Sequence, residues 1–534
     1  MRGPTISKSQ SVSLDLFKLI MYYHSFSKYK LFFLIILPIA SLQAKDIGSS
    51  PLPNIVIIYA DDMGVADVSY GNPLSKIQTP NIDSLAAQGM TFTDGHSSSG
   101  VCTPSRFALL TGQYHWRRFH AIVHAFGNSV FEANDFTLPK MLKDRGYNTA
   151  AIGKWHLGWD WESIKKPGAV PVKENEKRQE WDSNAFDWSK RFRGGPVDQG
   201  FDYYFGDGTI NFPPYTWIEN DRFLYTPTQQ VIRSKPLAGG GTFRPGPMAQ
   251  EWDPFEVLPT TTAKAVEWIS KQTSEVPFFI YLALNSPHYP IVPNKEFHGA
   301  SDAGYYGDFV VETDAMVGKV MEALQLQEFD DNTLVIFTAD NGAETHAFQR
   351  LEEFNQWSSG EHRGVKRDLY EGGHRVPFIF RWPGRIPPGT VSDETVNQVD
   401  FAATFAKIVG YSLSEKEAID SHSLLPVIIG DEYTRPLRSA TVHNTFEDEY
   451  ALRKGNWVYI NTTRAAVYKE SEEYLEKRGL TSFRNSDTGG LLFNLADDPG
   501  QSKNLYLEYP ERVVQMSELL QQYLAGKRGA PYIP

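Results

Sequence analysis

The chain has 534 residues, 41% of them hydrophobic, and its 26 Tyr, 33 Phe and 12 Trp supply a sizeable core, which excludes a disordered or collagen-like chain. Its 64 acidic and 52 basic residues leave a formal charge of -12, so the global basic footprint of a nucleic-acid binder is absent. An anionic substrate stays open, because a local pocket of Lys, Arg and His overrides the total charge over a few ångströms.

Residues 1–44 read as a signal peptide. Lys28 and Lys30 precede an apolar run at 31–39, and small residues follow at Ala40, Ser41 and Ala44. The run is shorter than the roughly 20 apolar residues that span a bilayer, so no membrane anchor is expected. Met21 would give a more ordinary signal length, and the mature chain is expected to begin near Lys45, secreted or periplasmic.

Four apolar runs then end in chemically able residues. The run 55–60 stops at Asp61 and Asp62, and "YNTAAIGKWHLG" ends at Lys154, Trp155 and His156. The run 278–284 reaches His288, and 334–339 stops at Asp340 and Asn341. Continuous apolar runs predict strands buried on both faces of a parallel sheet. Helical patterns at 82–88, 138–145, 261–271 and 308–326 alternate with them. The fold class expected is therefore α/β, a large doubly wound and mostly parallel sheet flanked by helices. Ligands bind beyond the carboxyl ends of such strands, which gathers the four groups around one crevice. A catalytic domain is expected over 45–430. "ALRKGNWVYI", "GGLLFNLADDPGQSKNL" and a helix at 510–524 predict a smaller antiparallel sheet plus helix over 431–534.

Asp61, Asp62, Asp340 and Asn341 offer only oxygen donors, which suits Ca2+ or Mg2+ better than zinc. Each alone reads as an ordinary turn after a strand; together at strand ends they favour a metal. Cys102 is the single cysteine. Exported proteins use cysteines in pairs, so an odd one is either an inert core thiol, an intermolecular bridge or a chemically used residue. Pro104 and Ser105 predict the opening of a helix just after it, an anion-receptive position flanked by Arg106.

"CTPSR" with "LLTGQY", preceded by "NIVIIYADDMG" and followed by "IGKWHLG", "SPHYP", "FTADNG", "GVKRDLYEGGHRVP" and "LFNLADDPGQSKNL", resembles the type I, formylglycine-dependent sulfatases of the alkaline phosphatase superfamily. The resemblance implies that Cys102 is converted to formylglycine (3-oxoalanine) by a maturation enzyme. Its hydrate would attack sulfur, form a covalent sulfo-enzyme intermediate and expel sulfate. It implies one Ca2+, with Mg2+ less favoured, on Asp61, Asp62, Cys102, Asp340 and Asn341. It further implies that Arg106 and Lys366 hold the hydrate and that Lys154 and His288 bind sulfate and help protonate the leaving oxygen. His156 would accept the second hydroxyl's proton. Glu371, His362 and His374 read as structural, while His96 would either approach the site or stabilise its loop.

Where the family blocks lapse, Trp116, Arg117, His120 and Trp217 are candidate substrate contacts, since aromatic and basic groups stack on and pair with sulfated sugars. The expected substrate is a sulfated saccharide, an algal polysaccharide or glycosaminoglycan oligosaccharide. The rival readings are a phosphonate or phosphodiester hydrolase of the same superfamily and an inactive glycan-binding homologue.

Overall fold

The structure, a computed structural model, describes residues 51–531 except 71, 73–74, 176–177, 233–236 and 446. The expected signal peptide and the start near Lys45 lie outside the described residues. Across the main sheet the ten strands run Thr390–Ser392, Met90–Phe92, Phe378–Arg381, Thr333–Ala339, Asn54–Ala60, Phe278–Ala283, Asn148–Lys154, Tyr203–Gly208, Ile218–Glu219 and Arg222–Phe223. The five from Thr333–Ala339 to Tyr203–Gly208 are mutually parallel, and antiparallel pairs flank them on both sides.

Every residue of the strands Asn54–Ala60, Phe278–Ala283 and Thr333–Ala339 is buried, as their unbroken apolar sequences require. Register then fixes what emerges at the strand ends. Ala60 pairs with Ala339 and Ala283 with Gly153, so Asp61, Asp340 and Lys154 all leave the sheet on the same rim. Gly153 has φ +103, and a Cβ there would stand 2.0 Å from the Ala283 carbonyl oxygen. Only glycine lets these two strands approach so closely just before Lys154.

Helices Pro80–Gln88, Leu138–Asp144, Val257–Ile269 and Gly304–Leu326 cover the sheet, two of them starting four residues before the apolar pattern does. The strand Tyr203–Gly208 and the helix Phe401–Val409 were not expected from sequence. Past the boundary expected near residue 430, strands Thr441–Asn444, Tyr450–Lys454, Trp457–Ile460 and Leu491–Asn494 form an antiparallel sheet against helix Pro510–Leu524. Pro51–Pro534 forms one compact unit. Among the described residues no helix is long and apolar enough to cross a membrane.

Candidate active site

Asp61 and Asp62 follow the central strand directly, and Asp62 turns the chain with a left-handed φ of 62. The Asp62 amide donates to Asp340 Oδ1 at 3.1 Å, and Asn341 Nδ2 donates to Asp62 Oδ1 at 2.8 Å. Two strand ends are thereby tied into one acidic knot. All four side chains are buried.

Cys102 opens helix Cys102–Thr111, three residues earlier than the sequence pattern suggested. The first helical bond runs from Ser105 N to the Val101 carbonyl at 3.1 Å. Pro104 therefore sits inside the first turn, where its missing N–H costs nothing, rather than marking the start. The Cys102 sulfur lies 4.0 Å from Asp62 Oδ1. Burial, and after it the Asp340 carboxylate, pushes the thiol up to about 12, so as a thiol it is a poor nucleophile at neutral pH.

Cations ring this point. Arg106 lies one turn along the same helix, fully buried, and donates through Nε and Nη2 to Asp340 Oδ2 at 3.1 and 2.7 Å. Lys154 Nζ donates to Asp61 Oδ2 at 2.5 Å, and Lys366 Nζ to Asp62 Oδ1 at 2.5 Å. Burial alone would raise the Asp62 carboxyl, yet the Lys366 ammonium foremost holds it at about 2. The His288 Nε2 stands 3.5 Å from Asp62 Oδ2, and its Nδ1–H donates to the Tyr289 carbonyl. His156 donates its Nε2–H to the Val123 carbonyl at 2.8 Å, which fixes the tautomer and leaves Nδ1 without a partner. Burial, then Lys154 and Arg106, hold His156 well below its usual range, so it is neutral with an unprotonated Nδ1.

Three buried oxygens in this knot have no hydrogen-bond partner: Asp61 Oδ1, Asp62 Oδ2 and Asn341 Oδ1. Buried carboxylate and amide oxygens do not stay unpaired without cause. The ligand atoms of Asp61, Asp62, Cys102 and His288 lie within 4.8 Å of one another. The three oxygens of Asp61, Asp62 and Asn341 are hard donors of the kind that fits a divalent cation. Every catalytic and metal candidate read from sequence thus meets at one rim.

The weaker substrate candidates do not. Trp116 is buried in the core, stacked on Tyr114 at 5.3 Å, and Arg117 is spent on both oxygens of Asp420 at 2.7 Å. Trp217 is buried against Phe205 with ring centroids 4.9 Å apart, and His120 Nδ1 pairs with Asn444 Oδ1 at 3.0 Å. These side chains were chosen for their chemistry, and packing claims them instead. His96 is held away as a structural residue of the short strand Gly95–His96: its Nε2 lies 2.8 Å from Asp94 Oδ1, in a buried network with Arg375, Arg453 and Glu371. His374 and His443 stack at 3.7 Å with planes 6° apart, so their lone pairs lie in parallel planes and cannot converge on one ion.

Beside His156 opens a cleft lined by Phe126, Trp159, Trp161, Asp207, Phe212 and neighbouring residues. Asp207 ends the unexpected strand Tyr203–Gly208; burial pushes its carboxyl up to about 6, and its Oδ2 has no partner. No metal-like spacing or motif marked it in the sequence; only the sheet order does.

A sequence profile for sulfatases matches residues 53–411, and one for the C-terminal part of N-sulphoglucosamine sulphohydrolase matches 360–528. The chain is 32% identical to an N-acetylgalactosamine-6-O-sulfatase of Bacteroides thetaiotaomicron, covering 89% of this chain and 94% of that protein. It is 29% identical to human N-acetylgalactosamine-6-sulfatase, over 89% and 86% of the two chains. A solved structure from work on glycosaminoglycan metabolism by Bacteroides thetaiotaomicron superposes with a TM-score of 0.74 at 29% identity, over 89% of this chain and 99% of that one. The architecture is accordingly the alkaline-phosphatase-like one expected. By profile, by identity over nearly the whole length and by fold, the chain belongs to the sulfatase family and is a sulfuric ester hydrolase.

Proposed function

We propose that the protein is an exported, Ca2+-dependent sulfatase that removes sulfate monoesters from a carbohydrate. In this reading residues 45–430 form the catalytic region and 431–534 a small C-terminal subdomain. One observation carries it. Three partnerless buried oxygens stand beside Cys102, inside a ring of Arg106, Lys154 and Lys366. That is a cation-ready and anion-ready crevice at the carboxyl ends of parallel strands. The saccharide is supported by the N-acetylgalactosamine-6-sulfatases that align over most of the chain.

The thiol at position 102 stays protonated at neutral pH and is a poor nucleophile, which supports its conversion to formylglycine by a maturation enzyme of the host. That aldehyde would supply the nucleophilic hydroxyl. A Ca2+ held by Asp61, Asp62, Asp340, Asn341 and position 102 would supply Lewis-acid charge at a sulfate oxygen. The protein's own groups do the rest. Arg106, pinned by Asp340, and Lys366, pinned by Asp62, fix position 102 and cannot drift from it. Lys154 carries a proton at Nζ that a leaving oxygen can take. His288 has committed its Nδ1–H to a carbonyl and so presents an unprotonated Nε2, which must be protonated before it donates. His156 Nδ1, neutral and unpaired, is the acceptor for the proton released at position 102. Three fixed cations around one sulfate oppose the charge that builds in the transition state without reorganising at that moment.

The test compares sulfate release from nitrophenyl sulfate with hydrolysis of a nitrophenyl phosphodiester, using the matured chain and Cys102→Ala. The sulfate ester is expected to be preferred and Cys102→Ala to be inactive but folded. A clear preference for the phosphodiester, or activity in Cys102→Ala, overturns the assignment.

A further inference from the structure

Arg244 is a cation stacked on Phe212, a residue that lines the cleft beside His156. It sits in a glycine-rich loop that the sequence blocks left unassigned. Its backbone is clamped by Tyr215: the Arg244 amide donates to the Tyr215 hydroxyl at 2.8 Å, and that hydroxyl donates to the Arg244 carbonyl at 3.0 Å. The same loop is tied to the segment after His288, where the Ile291 amide donates to the Gly240 carbonyl at 3.2 Å. A Cβ on Gly241 would stand 2.5 Å from Pro290, so the loop lies flat against that segment.

The guanidinium stands over the Phe212 ring, 3.9 Å from its centroid, and the Phe212 ring packs edge-on against His156 at 5.3 Å. Two short steps therefore join it to the imidazole of the site, a span that one sugar and its neighbour bridge. Among the described residues no carboxylate is paired with it, and its Nη1 is buried without a hydrogen-bond partner. Its charged neighbours, Arg178 and Arg367, repel it rather than neutralise it. A guanidinium has five donors in a fixed fork, and burying one without a partner is costly. In a chain of net charge -12 that arrangement asks for an anion from outside.

We propose that Arg244 binds a second anionic group of the substrate, a carboxylate or a second sulfate, on the sugar that carries the scissile ester or on the next one. The preferred substrate class is thus dianionic, and the site selects it by pairing across the Phe212 wall. This rests on the sulfatase reading and extends it from any sulfated sugar to one with two negative groups. Phe212 contributes by shielding the pair from water, and the Tyr215 clamp fixes the backbone that carries the guanidinium, which lowers the ordering cost at binding.

The experiment measures kcat/KM for sulfate release from three sugars: N-acetylgalactosamine 6-sulfate, a disaccharide in which it neighbours a uronate, and 4,6-disulfated N-acetylgalactosamine. Nitrophenyl sulfate is the fourth substrate. The wild-type enzyme is expected to prefer one dianionic sugar over the monosulfate by at least roughly tenfold, the size of one charge-assisted pair. Which of the two wins separates carboxylate from sulfate. In Arg244→Met the ratio of dianionic to monoanionic kcat/KM is expected to fall by roughly 10- to 100-fold, and Arg244→Lys to restore part of it. A wild type without preference, or an Arg244→Met ratio equal to wild type, overturns the proposal while nitrophenyl sulfate turnover keeps the sulfatase reading. Release of sulfate from none of the four substrates fails the sulfatase reading and this one with it. If Arg244→Met does not fold, the wild-type ratio and Arg244→Lys decide.

Discussion

Lys366→Met separates what the crevice needs for folding from what it needs for chemistry. The Lys366 ammonium lies 2.5 Å from Asp62 Oδ1 and 3.9 Å from Glu344 Oε2, and both Lys366 and Asp62 are buried. Glu344 keeps Arg367, which pairs with it at 2.6 Å. Asp62 keeps the Asn341 amide at 2.8 Å, the Cys102 sulfur at 4.0 Å and a neutral His288, none of them a full positive charge. Removing one partner of a buried pair leaves the other charge uncompensated and costs about 3–5 kcal/mol. A divalent cation on Asp62 compensates that charge, so the loss is expected to shrink when Ca2+ is present. Denaturant unfolding of wild type and variant, each with chelator and with Ca2+, reads both numbers. Turnover of nitrophenyl sulfate is expected to fall roughly 100- to 1,000-fold, the usual size for loss of one fixed charge around a developing anion. A stability loss under chelation no larger than the roughly 0–1 kcal/mol of a surface ion pair would refute the reasoning.

Further outcomes follow from the same geometry. Exhaustive chelation is expected to suppress turnover and Ca2+ to restore it better than Mg2+; indifference to chelation removes the metal from Asp61, Asp62, Asp340 and Asn341. Gly153→Ala is expected to cost at least about 2 kcal/mol, since it combines a left-handed φ with a clash against the Ala283 carbonyl, and an unchanged unfolding midpoint rejects that account. Asp368 gives a pH signature. Burial pushes its carboxyl up to about 8, although the Val365 and Val467 amides donate to it. The folded state then holds a proton that the unfolded chain has released, so stability falls as pH rises from the ordinary carboxyl value towards 8 and levels beyond it, by at most about 1.4 kcal/mol per pH unit. Asp368→Asn is expected to flatten that decline; parallel profiles for the two proteins contradict it.

The sequence alone determined the central sheet and the polar groups that stand at its rim. Strands such as Asn54–Ala60 and Thr333–Ala339 are unbroken apolar runs, buried on both faces, and their ends are marked by the very carboxylates that do not belong in a core. Local pattern carries such elements, and the block resemblance assigned chemistry to their ends. Tertiary structure decided which remaining cations and aromatics are free. Arg117 and Trp116 look like sugar contacts until Asp420, more than 300 residues away in sequence, claims the guanidinium and Tyr114 stacks on the indole. Arg244 and Asp207 look unremarked until the fold sets one on Phe212 and the other beside His156, each with a buried polar atom left unpaired. Pairing is a property of neighbours in space, and no spacing along the chain encodes which charge will find its partner and which will be left for a ligand.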